Sequence, residues 1–150
     1  MKKFFKILFF FTALTACNYE PIFSSKEIGF SISNIKVVNE NNLTRQIKRS
    51  LKEFQNLNEG KIYNIEISVQ KTDEITAKDS KGNAKSFETK IICNLMVYKN
   101  KRLVKSKKII ENFKHNNDSD KFKLRKYKSN IENNLINRII EKIILEIYSL

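Results

Sequence analysis

The most regular hydrophobic rhythm in the chain runs from residue 63 to 69, where Tyr63, Ile65, Ile67 and Val69 alternate with Asn64, Glu66 and Ser68. A period of two with one apolar side predicts a half-buried strand. A second alternation, Phe87, Thr89, Ile91, Cys93, Leu95 and Val97, predicts a long partner strand. Between them, residues 72–86 (TDEITAKDSKGNAKS) are polar and carry Gly82 and Asn83, so they predict a hairpin tip. Lys99-Asn100-Lys101 turns the chain into a third stretch, Arg102 to Phe113. Its alternation is weak, with Lys105-Ser106-Lys107-Lys108 separating Leu103-Val104 from Ile109-Ile110. A Lys-rich strand of this kind suits a sheet edge, where charge discourages pairing with other chains.

Upstream, Phe30 and Ile32 alternate with Ser31 and Ser33, and then the phase changes so that Ile35 and Val37 are apolar. One extra residue near Ser33-Asn34 restores the facing, which predicts a strand from Ile28 with a bulge. Asn39-Glu40-Asn41-Asn42 is a turn ending in good helix caps. Leu43, Ile47, Leu51, Phe54 and Leu57 then form one stripe on an amphipathic helix ending at Asn58-Glu59-Gly60. From Ile131 a last helix is expected, because Leu135, Ile136, Ile139, Ile140, Ile143 and Ile147 fall within an arc of about 140° at 100° per residue. The order is strand, helix, three strands, helix. It predicts an α+β fold in two layers: one four-stranded mixed sheet with two helices packed on one face.

The first seventeen residues, MKKFFKILFFFTALTAC, follow a different logic. A basic start, an apolar middle too short to span a bilayer and small residues before a cut are the layout of a secretory signal. Leu14-Thr15-Ala16-Cys17 also resembles the lipobox of bacterial lipoproteins. Leu14 suits that motif and suits an ordinary signal-peptidase cut badly. The expected organisation is a cleaved signal over residues 1–16, a lipidated tether over 17–26 stiffened by Pro21, and a single α+β domain over 27–150. Cys17 would carry a diacylglycerol on its thiol and an acyl chain on its amine, and no other cofactor is expected. Two or more acyl chains give stable anchoring where one does not.

That organisation changes how the composition is read. Removing the signal takes away Lys2, Lys3 and Lys6, so the formal charge falls from +13 to 13 − 3 = +10. With Cys17 committed to lipid, Cys93 is the sole remaining thiol and no disulfide within the chain is available; in its apolar run it is a small buried hydrophobe. An exported protein does not meet nucleic acid, which leaves phosphorylated lipid or lipopolysaccharide as an anionic partner. The alternative is codon bias. The chain has 24 Lys against 5 Arg, with 21 Ile and 18 Asn, whereas selection for phosphate binding more often retains Arg. Lys121 to Lys128 packs five basic residues among Phe122, Leu124 and Tyr127.

Catalytic chemistry is not legible. There is no G-x-S-x-G, no metal-spaced His/Cys set and no Gly-rich phosphate loop. The single histidine, His115, falls in the polar stretch Lys114 to Asp120 and is expected at the surface. Asp73-Glu74 and Asp118/Asp120 are expected in polar loops, with nothing to separate their pKa values. A binding or assembly module is expected, not an enzyme.

The element order, the lipobox and the opening Cys17-Asn18-Tyr19-Glu20-Pro21-Ile22-Phe23 resemble the lipopolysaccharide-assembly lipoproteins of the LptE family. Alphaproteobacterial members open Cys-Gly-Phe-x-Pro-Leu-Tyr, and here Pro21 is in register while Asn18 replaces Gly. The resemblance implies an outer-membrane lipoprotein on the periplasmic leaflet that plugs the LptD-type β-barrel, helps it fold and binds lipopolysaccharide. Asn18 is not the Asp that commonly retains lipoproteins at the inner membrane. The resemblance implicates basic residues on one side of the sheet. No motif assigns them, so the physical candidates are the cations at hairpin tips: Lys78, Lys81, Lys85, Lys99, Lys101 and Arg102. Two other classes fit the same organisation, an accessory lipoprotein that binds a cell-wall synthase and an auxiliary of a lipid-transport ABC complex.

Overall fold

The computed structural model of the protein describes residues 29–57 and 60–150. The signal, Cys17 and the tether lie outside the described residues. The four alternating segments form one sheet of order β1-β2-β3-β4. Strand β1 is Phe30–Val37, β2 Lys61–Lys78, β3 Ala84–Lys99 and β4 Arg102–Asn116. β1 and β2 are parallel and the other neighbours antiparallel, because a helix bridges the first pair and hairpins the rest. The helices are α1, Asn42–Leu51, and α2, Lys121–Tyr148. The fold is α+β in two layers, β-α-β-β-β-α, as the periodicity predicts.

The alternation correctly identifies the buried face. Tyr63, Ile65, Ile67 and Val69 on β2 and Ile91, Cys93, Leu95 and Val97 on β3 are buried beneath the helices. They join the stripes Leu43, Ile47 and Leu51 of α1 and Ile131 to Ile147 of α2 in one continuous core. The β1 register shifts between Ile32 and Asn34, where the change of phase requires an extra residue. Asn41 and Thr44 cap α1 reciprocally, each side chain accepting from the other's backbone N–H at 2.9 Å.

Four boundaries differ from expectation, each for a tertiary reason. α1 stops at Leu51 and continues only as a 3₁₀ turn, Lys52–Phe54. Gln55 bridges to Ile32, Asn56 N–H donates to the Ile32 carbonyl at 3.2 Å, and these bonds draw the chain into the sheet before Leu57. The three-residue spacing of Leu51, Phe54 and Leu57 is a 3₁₀ period, not an α period. The hairpin tip shrinks from 72–86 to residues 79–83, so Lys78 and Lys85 lie on strands. Cross-strand bonds sustain that ladder without apolar alternation: Thr89 Oγ1 donates to Asp73 Oδ1 at 2.6 Å, and the hydroxyls of Thr76 and Ser86 meet at 2.8 Å. Asp73 and Glu74 are therefore strand residues.

α2 begins at Lys121, ten residues before its apolar stripe, with Asp120 accepting from Phe122 N and Lys123 N at 2.9 and 3.1 Å. β4 is the edge strand expected, but it runs on to Asn116. That extension puts His115 opposite Phe87 on the helix-covered side, where it is buried. His115 is thus not a surface residue. Its parity with Ile109, Glu111 and Phe113 is the signal that the polar neighbours hid.

Candidate functional site

The six candidate cations do not form one site. Lys78, Lys81 and Lys85 cluster where β2 turns into β3, whereas Lys99, Lys101 and Arg102 occupy the turn at the far end of β3. Fifteen residue steps separate Ala84 from Lys99, about 50 Å at ~3.3 Å per step. No single headgroup spans both.

The β2–β3 end is tied by hydrogen bonds and gathers a second set of cations. At the tip Asp79 accepts from Lys81 N and Asn83 N at 2.9 Å and from Asn83 Nδ2 at 3.1 Å. The bonds from Asn83 hold its carboxyl below the ordinary carboxylate range. Asp79 is thereby consumed in shaping the turn, with Gly82 at φ +84° supplying its left-handed residue. The connection from β4 to α2 docks beside it. Asn117 N–H donates to the Lys85 carbonyl and Asn117 Nδ2 to the Ala84 carbonyl, each at 2.8 Å. The first two turns of α2 are thus brought against the start of β3, and with them Lys121, Lys123, Arg125, Lys126 and Lys128.

Aromatic groups floor this end. The His115 ring stacks on Phe87 at 5.7 Å between centroids and meets Tyr127 edge-on at 6.0 Å. Lys128 Nζ lies 4.4 Å from the Phe87 ring centre, a cation–π contact. Thr89 is buried; its hydroxyl donates to Asp73 and lies 3.3 Å from His115 Nε2, while His115 Nδ1 faces the Asn116 carbonyl at 3.3 Å. Phe122 is 69% exposed on the first turn of α2. Exposed cations on two elements joined through Asn117, with Phe122 and Tyr127 exposed on the helix beside them, can hold a ligand that is both phosphorylated and acylated.

The tip lysines are among the cations expected from the sequence, and the α2 cations are not. Their interleaving with Phe122, Leu124 and Tyr127 was the available signal; only the Asn117 contacts show that they meet the tip. Elsewhere on the covered side charge is used for packing. Glu111, buried, faces Arg138 at 3.4 Å and pairs with Lys142, while Lys105 and Lys107 reach Glu146 at 2.6 and 3.4 Å. The Lys105 hydrogen bond lowers the Glu146 pKa. Among the described residues no three metal-ligating side chains converge.

No family model matches the chain, and no curated protein matches it in sequence. Solved structures do match in fold. A crystal structure of rare lipoprotein B from Shewanella oneidensis aligns at 14% identity over 79% of this chain and 94% of that one, with a TM-score of 0.62. A solution structure of lipoprotein B from Nitrosomonas europaea aligns at 8% identity over 87% and 92%, with a TM-score of 0.65. A lipoprotein from Caulobacter crescentus aligns at 15% identity over 77% and 88%, with a TM-score of 0.54. At these identities the likeness is one of fold.

Proposed function

We propose that this chain is an outer-membrane lipoprotein, held in the periplasmic leaflet by acyl chains on Cys17, that binds lipopolysaccharide through the end of the domain farthest from the anchor and works with an LptD-type β-barrel. The observation that carries this reading is the convergence of the tip lysines with the basic first turns of α2 over the Phe87–His115–Tyr127 floor. The fold shared with bacterial lipoproteins supports it, as does the lipobox ending at Cys17.

Lipopolysaccharide presents phosphates beside acyl chains. Lysines on two elements neutralise the phosphates as a cluster, which matters because one exposed ion pair contributes only about 0–1 kcal/mol. Phe122 and Tyr127 supply the apolar contact. The elements are already docked, so little order is lost on binding.

Two triple variants test the reading, Lys78/Lys81/Lys85→Ser and Lys121/Lys123/Lys126→Ser. Each is expected to weaken lipopolysaccharide binding at least tenfold and flatten its salt dependence. The control, Lys48/Arg49/Lys52→Ser, removes three charges at and just beyond the end of α1 and is expected to change binding less than twofold. Equal losses in all three would reduce the attraction to bulk charge. Detergent extracts provide the second arm: the wild-type chain should copurify with a large β-barrel. Recovery of a peptidoglycan synthase or an inner-membrane ABC complex instead would replace this function with one of the other two.

A further inference from the structure

The turn at the opposite end carries a separate assignment. Lys99 pairs with Arg102 across a two-residue connection, Asn100-Lys101, with φ +49° and +65°. Both values are left-handed, the geometry of a type I′ turn, which strongly favours Asn-Gly. Asn100 fits. Lys101 occupies the position that Gly fills without strain, so the cation there sits at a cost in backbone strain.

The surroundings indicate what that cation meets. The described chain begins at this end: Lys61 N–H donates to the Gly29 carbonyl at 3.1 Å. Gly60 packs so tightly on Gly29 that an added Cβ would lie 2.5 Å from its carbonyl carbon. The dozen residues from Cys17 to Ile28 reach at most about 40 Å when fully extended. Around the same end Ile62, Leu103, Val104 and Tyr148 are 60%, 54%, 43% and 63% exposed. Lys99, Lys101 and Arg102 are exposed and make no ion pair among the described residues, while Glu66 and Glu146 are already paired with Lys36 and with Lys105 and Lys107. No helix of the described residues is long and apolar enough to cross a membrane.

We propose that the β3–β4 turn seats the domain on the bilayer, with Lys99, Lys101 and Arg102 against anionic phospholipid headgroups and Leu103, Val104 and Ile62 dipping between them. The tether alone would let the domain tumble; this seat orients it with the β2–β3 tip pointing away from the membrane. The proposal rests on the reading of Cys17 as the anchor and is independent of which cargo the distal end binds.

The chain contains no Trp, so one introduced residue reports its own surroundings. Leu103→Trp and Ile75→Trp place it at opposite ends on strand positions of matched exposure, 54% and 52%. The mature lipidated proteins are reconstituted into vesicles of phosphatidylethanolamine and phosphatidylglycerol carrying brominated acyl chains. The expected result is quenched, blue-shifted emission from Leu103→Trp and unquenched emission from Ile75→Trp. Adding Lys99→Ser, Lys101→Gly and Arg102→Ser, or replacing phosphatidylglycerol with phosphatidylcholine, should reduce the Leu103→Trp quenching at least threefold. Circular dichroism confirms the fold of each variant. Equal quenching at both positions, or none at Leu103→Trp in protein that floats with the vesicles, would overturn the seat. Protein that fails to float would instead refute the anchor. Lipopolysaccharide binding lost in the triple variant with quenching unchanged would reassign the turn to cargo and overturn the proposal.

Discussion

Lys101→Gly is expected to stabilise the fold while weakening its hold on the bilayer. A non-glycine residue in the left-handed region costs roughly 1–2 kcal/mol through the close approach of Cβ to the following carbonyl. At φ +65° Lys101 bears that cost in the folded state alone. Glycine removes it but adds unfolded-state entropy worth about 0.5–1 kcal/mol. The balance is a net gain of about 0.5–1 kcal/mol. Nothing offsets it, because Lys101 is exposed and makes no described ion pair. For a domain of this size the gain raises Tm by roughly 2–4 °C. Urea unfolding of wild type and variant checks it: the midpoint should rise with an unchanged m-value. Asn100→Gly is the comparison. Asn tolerates the left-handed region, so the change there should stay within a few tenths of a kcal/mol. A lower midpoint for Lys101→Gly would show that the side chain makes a stabilising contact, and the argument from strain would fail.

Three further expectations concern the core and its edge. Ile139 and Ile143 are fully buried beneath the sheet, so each change to Ala should cost roughly 2–5 kcal/mol in denaturant unfolding, as should Ile65→Ala and Ile67→Ala; losses under about half a kcal/mol at both helix positions would mean that this face is not core. Burial pushes the Cys93 thiol up to about 12, so a thiol reagent at pH 8 should leave it untouched in the native protein and modify it only on unfolding; rapid native labelling would contradict the packing. Glu146 is held ionised by Lys105, so its folded pKa lies below the ordinary 4.5. Its contribution is present above that value and lost as pH falls through the folded pKa. Glu146→Gln should therefore cost under about 1 kcal/mol at neutral pH and nothing in acid; a larger cost in acid would reverse the sign.

The arrangement of elements was legible because one face of this sheet is dry. Where Tyr63–Val69 and Ile91–Val97 meet the helices, every second residue must be apolar, and the alternation states strand, facing and bulge together. Where burial is achieved with charge, the rhythm disappears. β4 sends Lys105, Lys107 and Glu111 inward because the flank of α2 above them carries Glu146, Arg138 and Lys142. Neither segment alone announces such a pairing. His115 was misread for the same reason: its polar neighbours point outward, and its burial depends on Phe87 in another strand and Tyr127 in a helix.

The candidate site divides along the same line. Sequence alone identified which cations lie near turns, since local polarity and Gly82 mark the tip. It did not say which turns share an end. That follows from strand length and direction: β3 carries one set of lysines about 50 Å from the other. Asn117 then draws the first turns of α2 to the tip set, and β1 starts at the other end, where Lys61 bonds Gly29. Distances between segments remote in sequence are set by packing, so the division of these cations between a distal cluster and a proximal turn was decided by the tertiary structure.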